Sequence, residues 1–508
     1  MTATRTTAAP TGRNKPAQGK ERSDAALGHE SQNTLSPEGA EEMGSRYHVE
    51  LPNLPAAWSY QRFENILDIQ GGSQPPKSTF VYESTPGYIQ LLQIRDFGER
   101  GVPTFVREDS VTKRCTEDDI LIARYGASLG RIVTGEDGAY NVALAKVIFD
   151  KEQFFNRYLF YLLQTPFFQT PIHMISRSAQ NGFNKGDLSD ILLPVAPLPK
   201  QRRIVAEIEK QFTRLEAGVA ALRRVQANLK RYRAAVLKAA CEGRLVPTEA
   251  ELVRLKPETR NLNPEFETGE ALLVRILAER RQNWQGRGQF KEPAVTDTTK
   301  LAQLPEGWTW ATLDALGEIK GGITKDQNRK HTAPARSVPY LRVANVQRGY
   351  IDLTEVKEIV TTEDEIQALA LKPGDILFNE GGDRDKLGRG WVWNGELPEC
   401  IHQNHVFRAR LYVAALSPKL VSWYANTFGQ QFFFDEGKHT TNLASISMTK
   451  LKGLPVPIPP PAEQTRIVAE VERRLSVVEE LEAVVSANLQ RATRLRQSIL
   501  QKAFTGEL

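Results

Sequence analysis

The sequence predicts an α/β (α+β) protein made by internal duplication: two similar globular modules separated by two long helices that pair antiparallel as a coiled coil. Three observations carry this. The segment Gln201-Arg-Arg-Ile-Val-Ala-Glu-Ile-Glu209 returns 263 residues later as Gln464-Thr-Arg-Ile-Val-Ala-Glu-Val-Glu472, and the register holds without a gap to Leu245 and Leu508. From Asp187/Lys450 to those leucines 18 of 59 pairs are identical, more than chance gives in an ungapped frame. Before each copy lie short apolar runs punctuated by glycine, the pattern of strands and turns, and within each copy apolar residues step by three and four, the pattern of a helix.

In chain order, residues 1–48 are rich in Ala, Thr, Gly, Pro and charge and nearly free of large apolar side chains, which predicts a disordered tail. Residues 49–199 form the first module, with strand-like runs at Ile120-Leu-Ile122, Arg131-Ile-Val133 and Lys146-Val-Ile-Phe149 and a helix-like stretch from Phe154 to Leu163. Prolines 194, 197 and 199 make a stiff lead into the first long helix, 200–245. Residues 246–302 read as a connector with one short helix, Gly269 to Arg281. The second module, 303–462, has strand-like Pro339-Tyr-Leu-Arg-Val343 and Gly374-Asp-Ile-Leu-Phe378 and a helix-like Leu420 to Phe428, and it too closes on a proline cluster before the second long helix, 463–508.

Patchier matches keep the order of the repeat upstream: Pro55-Ala-Ala-Trp58 with Pro305-Glu-Gly-Trp308, Ile69-Gln-Gly-Gly72 with Ile319-Lys-Gly-Gly322, Asp119-Ile-Leu-Ile122 with Asp375-Ile-Leu-Phe378, Leu129-Gly-Arg131 with Leu387-Gly-Arg389, and Asn141 with Asn404. A repeat that keeps its frame and varies its loops predicts two binding sites of one kind with different targets. On the helices, Ile204, Ile208, Leu215, Leu222 and Leu229 form one apolar stripe and Ile467, Val471, Leu475, Leu495 and Ile499 another, continued through Val225, Tyr232, Val236 and Leu481. Each stripe needs a partner: the equivalent helix, another protein, or both on different faces.

Composition narrows the classes. Three widely spread cysteines, Cys115, Cys241 and Cys400, argue against a disulfide framework and for a reducing compartment, hence a cytoplasmic location. No apolar run approaches the roughly 20 residues of a membrane span. Net charge is +5 overall, but the charge is uneven: residues 200–244 hold 12 Lys/Arg against 4 Asp/Glu, whereas 463–508 hold 7 of each. One helix is markedly basic, which suits solubility, complementary packing or contact with a phosphate backbone.

Catalytic signatures are missing. There is no phosphate loop, no dinucleotide-binding glycine fingerprint and no Asn/Asp-Pro-Pro-Tyr-like methyltransferase motif, and the glycines at 381, 382, 388 and 390 have the wrong spacing. Asp352 with Glu355-Val-Lys357 reads as a solvated strand edge, since the aspartate is too close for a nuclease set. His402-Gln-Asn-His405 lacks a third metal ligand, so no catalytic or metal residues are assigned. The positive signal is polar, basic and aromatic residues in glycine-rich loops. The first module offers Lys77, Arg95, Arg124, Tyr125, Ser128, Arg131, Arg177, Gln180, Asn181, Asn184 and Lys185. The second offers Lys325, Asn328, Arg329, Arg342, Asn345, Asn379, Arg384, Lys386, Arg389, His402, Gln403, Asn404, Lys438, His439 and Asn442. Arg and Lys suit phosphates and guanine edges, Asn and Gln adenine edges, and recurrence in both repeats points to double-stranded DNA.

From about residue 51 to 508 the chain resembles the specificity subunits of type I restriction-modification systems. The resemblance rests on the openings Leu54 to Trp58 and Leu304 to Trp308, the strand Gly374-Asp-Ile-Leu377, the Pro-rich runs into Lys/Glu-Gln-x-Arg-Ile-Val, and the endings Cys241-Glu-Gly-Arg-Leu245 and Phe504-Thr-Gly-Glu-Leu508. It implies that the modules are target-recognition domains, each reading half of a split, asymmetric DNA site. It also implies that the helices set the spacer and dock two modification (methyltransferase) subunits. S-adenosylmethionine then belongs to those partners, and ATP and Mg to motor-nuclease restriction subunits; this chain needs no cofactor and is not itself an enzyme. Departures are Gln90-Leu-Leu-Gln93 where the second module has Pro339-Tyr-Leu-Arg342, and the long N-terminal tail. The competing readings are a non-catalytic protein-docking scaffold with two similar ligand-binding modules, and an enzyme with an unrecognised site.

Overall fold

The computed structural model describes residues 51–98, 101–178, 182–255, 266–284, 289–325, 333–382, 386–439 and 444–508. The expected tail lies outside the described residues. The chain divides into two compact units, one of Met1–Phe212 with Arg496–Leu508, the other of Thr213–Leu495. Each unit thus joins one module to the start of one long helix and the end of the other.

In the first unit an antiparallel sheet runs in the order Leu67–Gly71, Leu144–Phe149, Leu121–Ala123, Ile132–Val133. A second sheet runs Phe105–Arg107, Tyr88–Leu92, Gly138–Tyr140, Arg114–Cys115, with its central pair parallel. The run Ile120-Leu-Ile122 is fully buried rather than alternating, as in a strand covered on both faces. The second unit repeats the plan. Gly317–Lys320, Val406–Leu411, Ile376–Asn379 and Gly390–Val392 make the first sheet, and Lys357–Thr362, Ala335–Leu341 and Ile401–His402 the second, again with a parallel pair. Helices expected at 154–163 and 420–428 form at Asn156–Leu162 and Pro418–Thr427; each is followed by a further helix that sequence reasoning missed, Pro166–Ser178 and Gly429–Glu436.

Backbone chemistry explains the paired motifs. In Leu-Gly-Arg, Gly130 donates its N–H to Ala123 and Ala123 donates to Arg131; Gly388, Asn379 and Arg389 repeat both bonds. Gly130 and Gly388 sit at φ 78° and 64°, where a side chain is strained. In Gly-Gly, an added Cβ on Gly72 would lie 2.1 Å from the Asn141 carbonyl oxygen, and one on Gly322 would lie 1.9 Å from that of His402. The same ladder corrects one pairing. Ser73 bridges Asn141 and Ile323 bridges Gln403, and Asn141 and Gln403 both donate N–H to the parallel strand, so the partner of Asn141 is Gln403, not Asn404. A strand position fixes register where sequence identity across a variable loop cannot.

The proline clusters are not only leads. Leu192–Val195 pairs with Ser59–Arg62, and Pro455–Ile458 with Thr309–Thr312, before the helices begin at Leu198 and Pro461. Pro is tolerated in such edge pairs and in a first helical turn, where its missing N–H costs no ladder bond. Immediately after, Gln201 and Gln464 are buried and act alike. Gln201 accepts from Phe155 N–H at 2.8 Å and donates to Ala196 at 2.8 Å; Gln464 accepts from Ser417 N–H at 2.9 Å and donates to Pro459 at 2.9 Å. Each glutamine bolts a helix start to its own module. Arg157–Glu209 at 2.9 Å and the Lys419–Glu472 pair add matching ion pairs one turn or two along.

The long helices span Leu198–Cys241 and Pro461–Thr505. In the second unit, Val236, Ala240 and Cys241 cluster with Ile467 and Val471, while Leu222 and Leu229 cluster with Val478, Val485 and Leu489, an order that runs antiparallel. Arg233 crosses to Glu482 at 3.0 Å and Glu479 at 3.6 Å. The expected stripe is wider than the seam: Val225, Tyr232, Leu481 and Leu495 are 43–49% exposed. Two helices bury a narrow seam, and a straight 3.6-residue helix drifts out of it, so stripe residues at the margins stay in water. Both helices end alike on a left-handed glycine. In the second unit an added Cβ on Gly243 would lie 2.5 Å from Pro305, and in the first one on Gly506 would lie 2.1 Å from Pro55. The Leu-Pro-x-x-Trp openings are therefore the seats of helix C-termini. The connector contains the expected helix, Gly269–Gln282, and a second at Glu249–Leu255.

Candidate nucleic-acid interface

In the first unit the loop after Leu121–Ala123 is held against the loop before a short helix, Lys185–Leu188. Arg124 donates to the Phe183 carbonyl at 3.2 Å and lies 5.2 Å from the Tyr125 ring centroid. Gly182, at φ 80°, lets the two loops close: an added Cβ would lie 2.2 Å from the Arg124 carbonyl oxygen and 2.5 Å from the Tyr125 ring. Tyr125 thus packs beside Gly182, and three residues on Lys185 pairs with Asp68 at 2.8 Å, holding that carboxyl below its usual range by hydrogen bond and charge. Lys77 is exposed, Arg95 reaches Thr104 at 3.1 Å, and Arg131 donates to the Phe97 carbonyl at 2.5 Å. Asn184 is a helix cap: its side chain accepts from Asp187 N–H while Asp187 accepts from Asn184 N–H, which commits that group locally.

The second unit closes the equivalent edge by strand pairing, Ala444–Ser445 lying between Gly381–Gly382 and Lys438–His439 and antiparallel to both. Several expected contacts there point inward instead. Asn345, 3% exposed, donates to the Asp352 and Glu355 carbonyls and accepts from Arg342 N–H. Asn379, fully buried, donates to the Val343 and Val346 carbonyls. His402, fully buried, sits 2.7 Å from the Val406 carbonyl oxygen, and burial pushes its imidazole down from 6.5 to about 4. These three side chains hold loops rather than present themselves to a ligand. Arg342 reaches the Glu355 carbonyl and Arg389 the Val343 carbonyl, each at 3.2 Å, while Gln403 and Asn404 remain half-exposed and Lys325 exposed. His405 pairs with Glu380 at 2.5 Å, so the two histidines of the His-Gln-Asn-His motif do not converge. Lys386 is half-buried.

The expected contacts Gln180, Asn181, Asn328, Arg329, Arg384 and Asn442 lie outside the described residues, as do the side chains of Arg177, Lys438 and His439. Among the described residues no group of three His, Cys, Asp or Glu gathers as a metal site, and no helix is long and apolar enough to cross a membrane. All three cysteines are buried and free. Gly182 is the positioning residue that sequence reasoning missed; its signal lay in the Gln-Asn-Gly-Phe-Asn stretch, whose polar groups drew the eye away from its glycine.

No protein-family model matches the chain. It is 23% identical over 475 residues to the specificity subunit of the type I restriction enzyme EcoKI of Escherichia coli (strain K12), covering 90% of each chain. It is 25% identical over 472 residues to the EcoBI specificity subunit of Escherichia coli, covering 90% of this chain and 88% of that one. A chain solved in work on complex assembly and conformational transition of the type I R-M system matches with a TM-score of 0.58 at 19% identity, over 90% of this chain and 100% of that one, a likeness of fold.

Proposed function

We infer that this chain is a specificity subunit of the type I restriction-modification class, the DNA sequence-recognition component, with each unit reading one half of a bipartite asymmetric site. The observation that carries the reading is similarity to curated specificity subunits over nine-tenths of both chains, together with a scaffold repeated down to single hydrogen bonds. Two readers of one architecture with different loops suit a split site whose halves differ.

The reading supports a division of labour. Exposed Lys77, Lys185 and Lys325 and the basic first helix supply phosphate contacts, while Tyr125, Ser128, Gln403 and Asn404, each exposed or half-exposed, are assigned to base edges or stacking, each good bidentate pair contributing about 1–3 kcal/mol of discrimination. The chain itself is non-catalytic in this scheme. Its partners are two methyltransferase subunits that carry S-adenosylmethionine, and motor-nuclease subunits that use ATP and Mg. Exposed apolar Val477, Leu481 and Val484, spaced as one helix face, suit the docking of such a protein. A salt titration of duplex binding by the reconstituted methyltransferase complex tests the scheme: log affinity falls linearly with log salt, by about 0.9 per phosphate contacted. Salt-insensitive binding would instead favour the protein-docking scaffold.

A further inference from the structure

The duplication exposes one unequal pair of surfaces. In the second unit, the chain beyond Leu245 folds back across the start of the long helix. Arg466 pairs with Glu249 at 2.5 Å and reaches the Pro247 carbonyl, Glu463 accepts the Glu249 N–H at 3.2 Å, and Ala250 is buried. Beneath it, Trp308 donates to Glu463 at 2.9 Å. The corresponding place in the first unit, residue for residue along the repeat, is a cavity of about 540 Å³ lined by Pro55, Trp58, Lys200, Arg203, Lys210 and Leu508, among others. Glu463 is buried in one copy; its counterpart Lys200 is exposed in the other.

We propose that this groove is the docking site of the chain's own N-terminal segment, residues 36–43, which takes the place that residues 246–253 take in the second unit. Three arguments converge. The first is register: Ser36-Pro-Glu-Gly-Ala-Glu-Glu-Met43 matches Val246-Pro-Thr-Glu-Ala-Glu-Leu-Val253 at the proline whose counterpart accepts from Arg466, at the alanine whose counterpart is buried, and at the following glutamate. That glutamate, Glu251, closes a capping box with Thr248 in the second unit. Reach is the second. Leu51, the first described residue, lies four residues before groove-lining Pro55, and the eight steps from Met43 to Leu51 span at most about 28 Å.

Charge is the third. The second-unit groove has two cations, Arg466 and Arg473, and two carboxylates, Glu463 and Glu470, and its occupant, residues 246–253, carries Glu249 and Glu251 and likewise no cation. In the first-unit groove the same four positions hold Lys200, Arg203, Lys210 and the one carboxylate Glu207, and residues 36–43 carry Glu38, Glu41 and Glu42 with no cation. The groove becomes more positive where its proposed occupant becomes more negative.

The test uses the full chain with Gly39→Cys and Arg203→Cys and a short bismaleimide linker, the three native thiols being buried. A tethered segment has an effective concentration of order mM, so at roughly micromolar chain the linked product is intramolecular, and shuffling residues 36–43 abolishes it. Because Arg203→Cys could disturb the helix start, a second measurement keeps the wild-type groove: Glu38→Lys, Glu41→Lys and Glu42→Lys together raise hydrogen exchange across residues 200–210 by about tenfold or more, with exchange in the sheets unchanged. Linking that survives the shuffle, linking between two chains, or protection of 200–210 that arises only when a partner protein is added would each overturn the proposal.

Discussion

Gln201 and Gln464 each satisfy backbone groups at the start of a long helix, an N–H and a carbonyl apiece. Gln464→Leu leaves Ser417 N–H and the Pro459 carbonyl buried without partners, and the expected loss is about 2–4 kcal/mol, read as a shift of the denaturant midpoint. Ala57 stands at φ 69° where the other copy has Gly307 at 87°. A non-glycine residue there costs about 1–2 kcal/mol, so Ala57→Gly is expected to stabilise the first unit slightly, by about 0.5–1 kcal/mol after the entropy of glycine is subtracted; a lower midpoint would refute the strain. His402 has a sign that can be worked out. Its folded value, about 4, lies below the ordinary 6.5, so the unfolded chain binds the proton first. Stability is unaffected above pH 6.5 and falls between 6.5 and 4, by up to about 3 kcal/mol. His402→Gln should flatten that part of the pH profile. At this scale the sequence was legible only in part. Asn345, Asn379, His402 and Asn184 looked like contacts because a polar residue in a glycine-rich loop reads the same whether it faces solvent or a buried carbonyl. Direction is set by backbone groups brought from 3 to 36 residues away.

Helices were the most legible elements, since a three-and-four stripe sustained over forty residues fits neither a strand, with its period of two, nor a loop. Their seam was not, because drift decides which stripe residues face inward. Leu229, in the seam with Val478 and Val485, should cost about 2–4 kcal/mol as Leu229→Ala, whereas Val225→Ala, 43% exposed, should stay within about 0.5 kcal/mol. The helix Pro166–Ser178 was missed because Pro171 lies inside it, and a mid-helix proline reads as a stop. If the paired helices set the spacer, four residues inserted at matched points of both, after Leu222 and after Val485, lengthen each by about 6 Å. The unread gap should then grow by about two base pairs, with both half-sites unchanged. An altered half-site at the original gap would refute the spacer role.

For the whole molecule, the duplication is what made function readable, and it did so through absence of variety in the scaffold rather than through any single motif. Two copies that share a buried glutamine, a helix-ending glycine, a Gly-Gly approach and a Leu-Gly-Arg turn, yet differ at Tyr125/Gly381 and in the segments 180–185 and 438–445, describe paired readers. The bases they read are not encoded in this way, since Tyr125 or Gln403 can serve several edges depending on the groove. The most direct measurement is to co-express the chain with the methyltransferase subunit proposed as its partner in a methylation-free host and map modified bases by single-molecule sequencing, beside variants Arg124→Ala with Tyr125→Ala and Gln403→Ala with Asn404→Ala. A split motif with a fixed gap is expected, its one half relaxed by the first variant and its other half by the second. A contiguous motif, or relaxation of both halves by either variant, would contradict two independent readers.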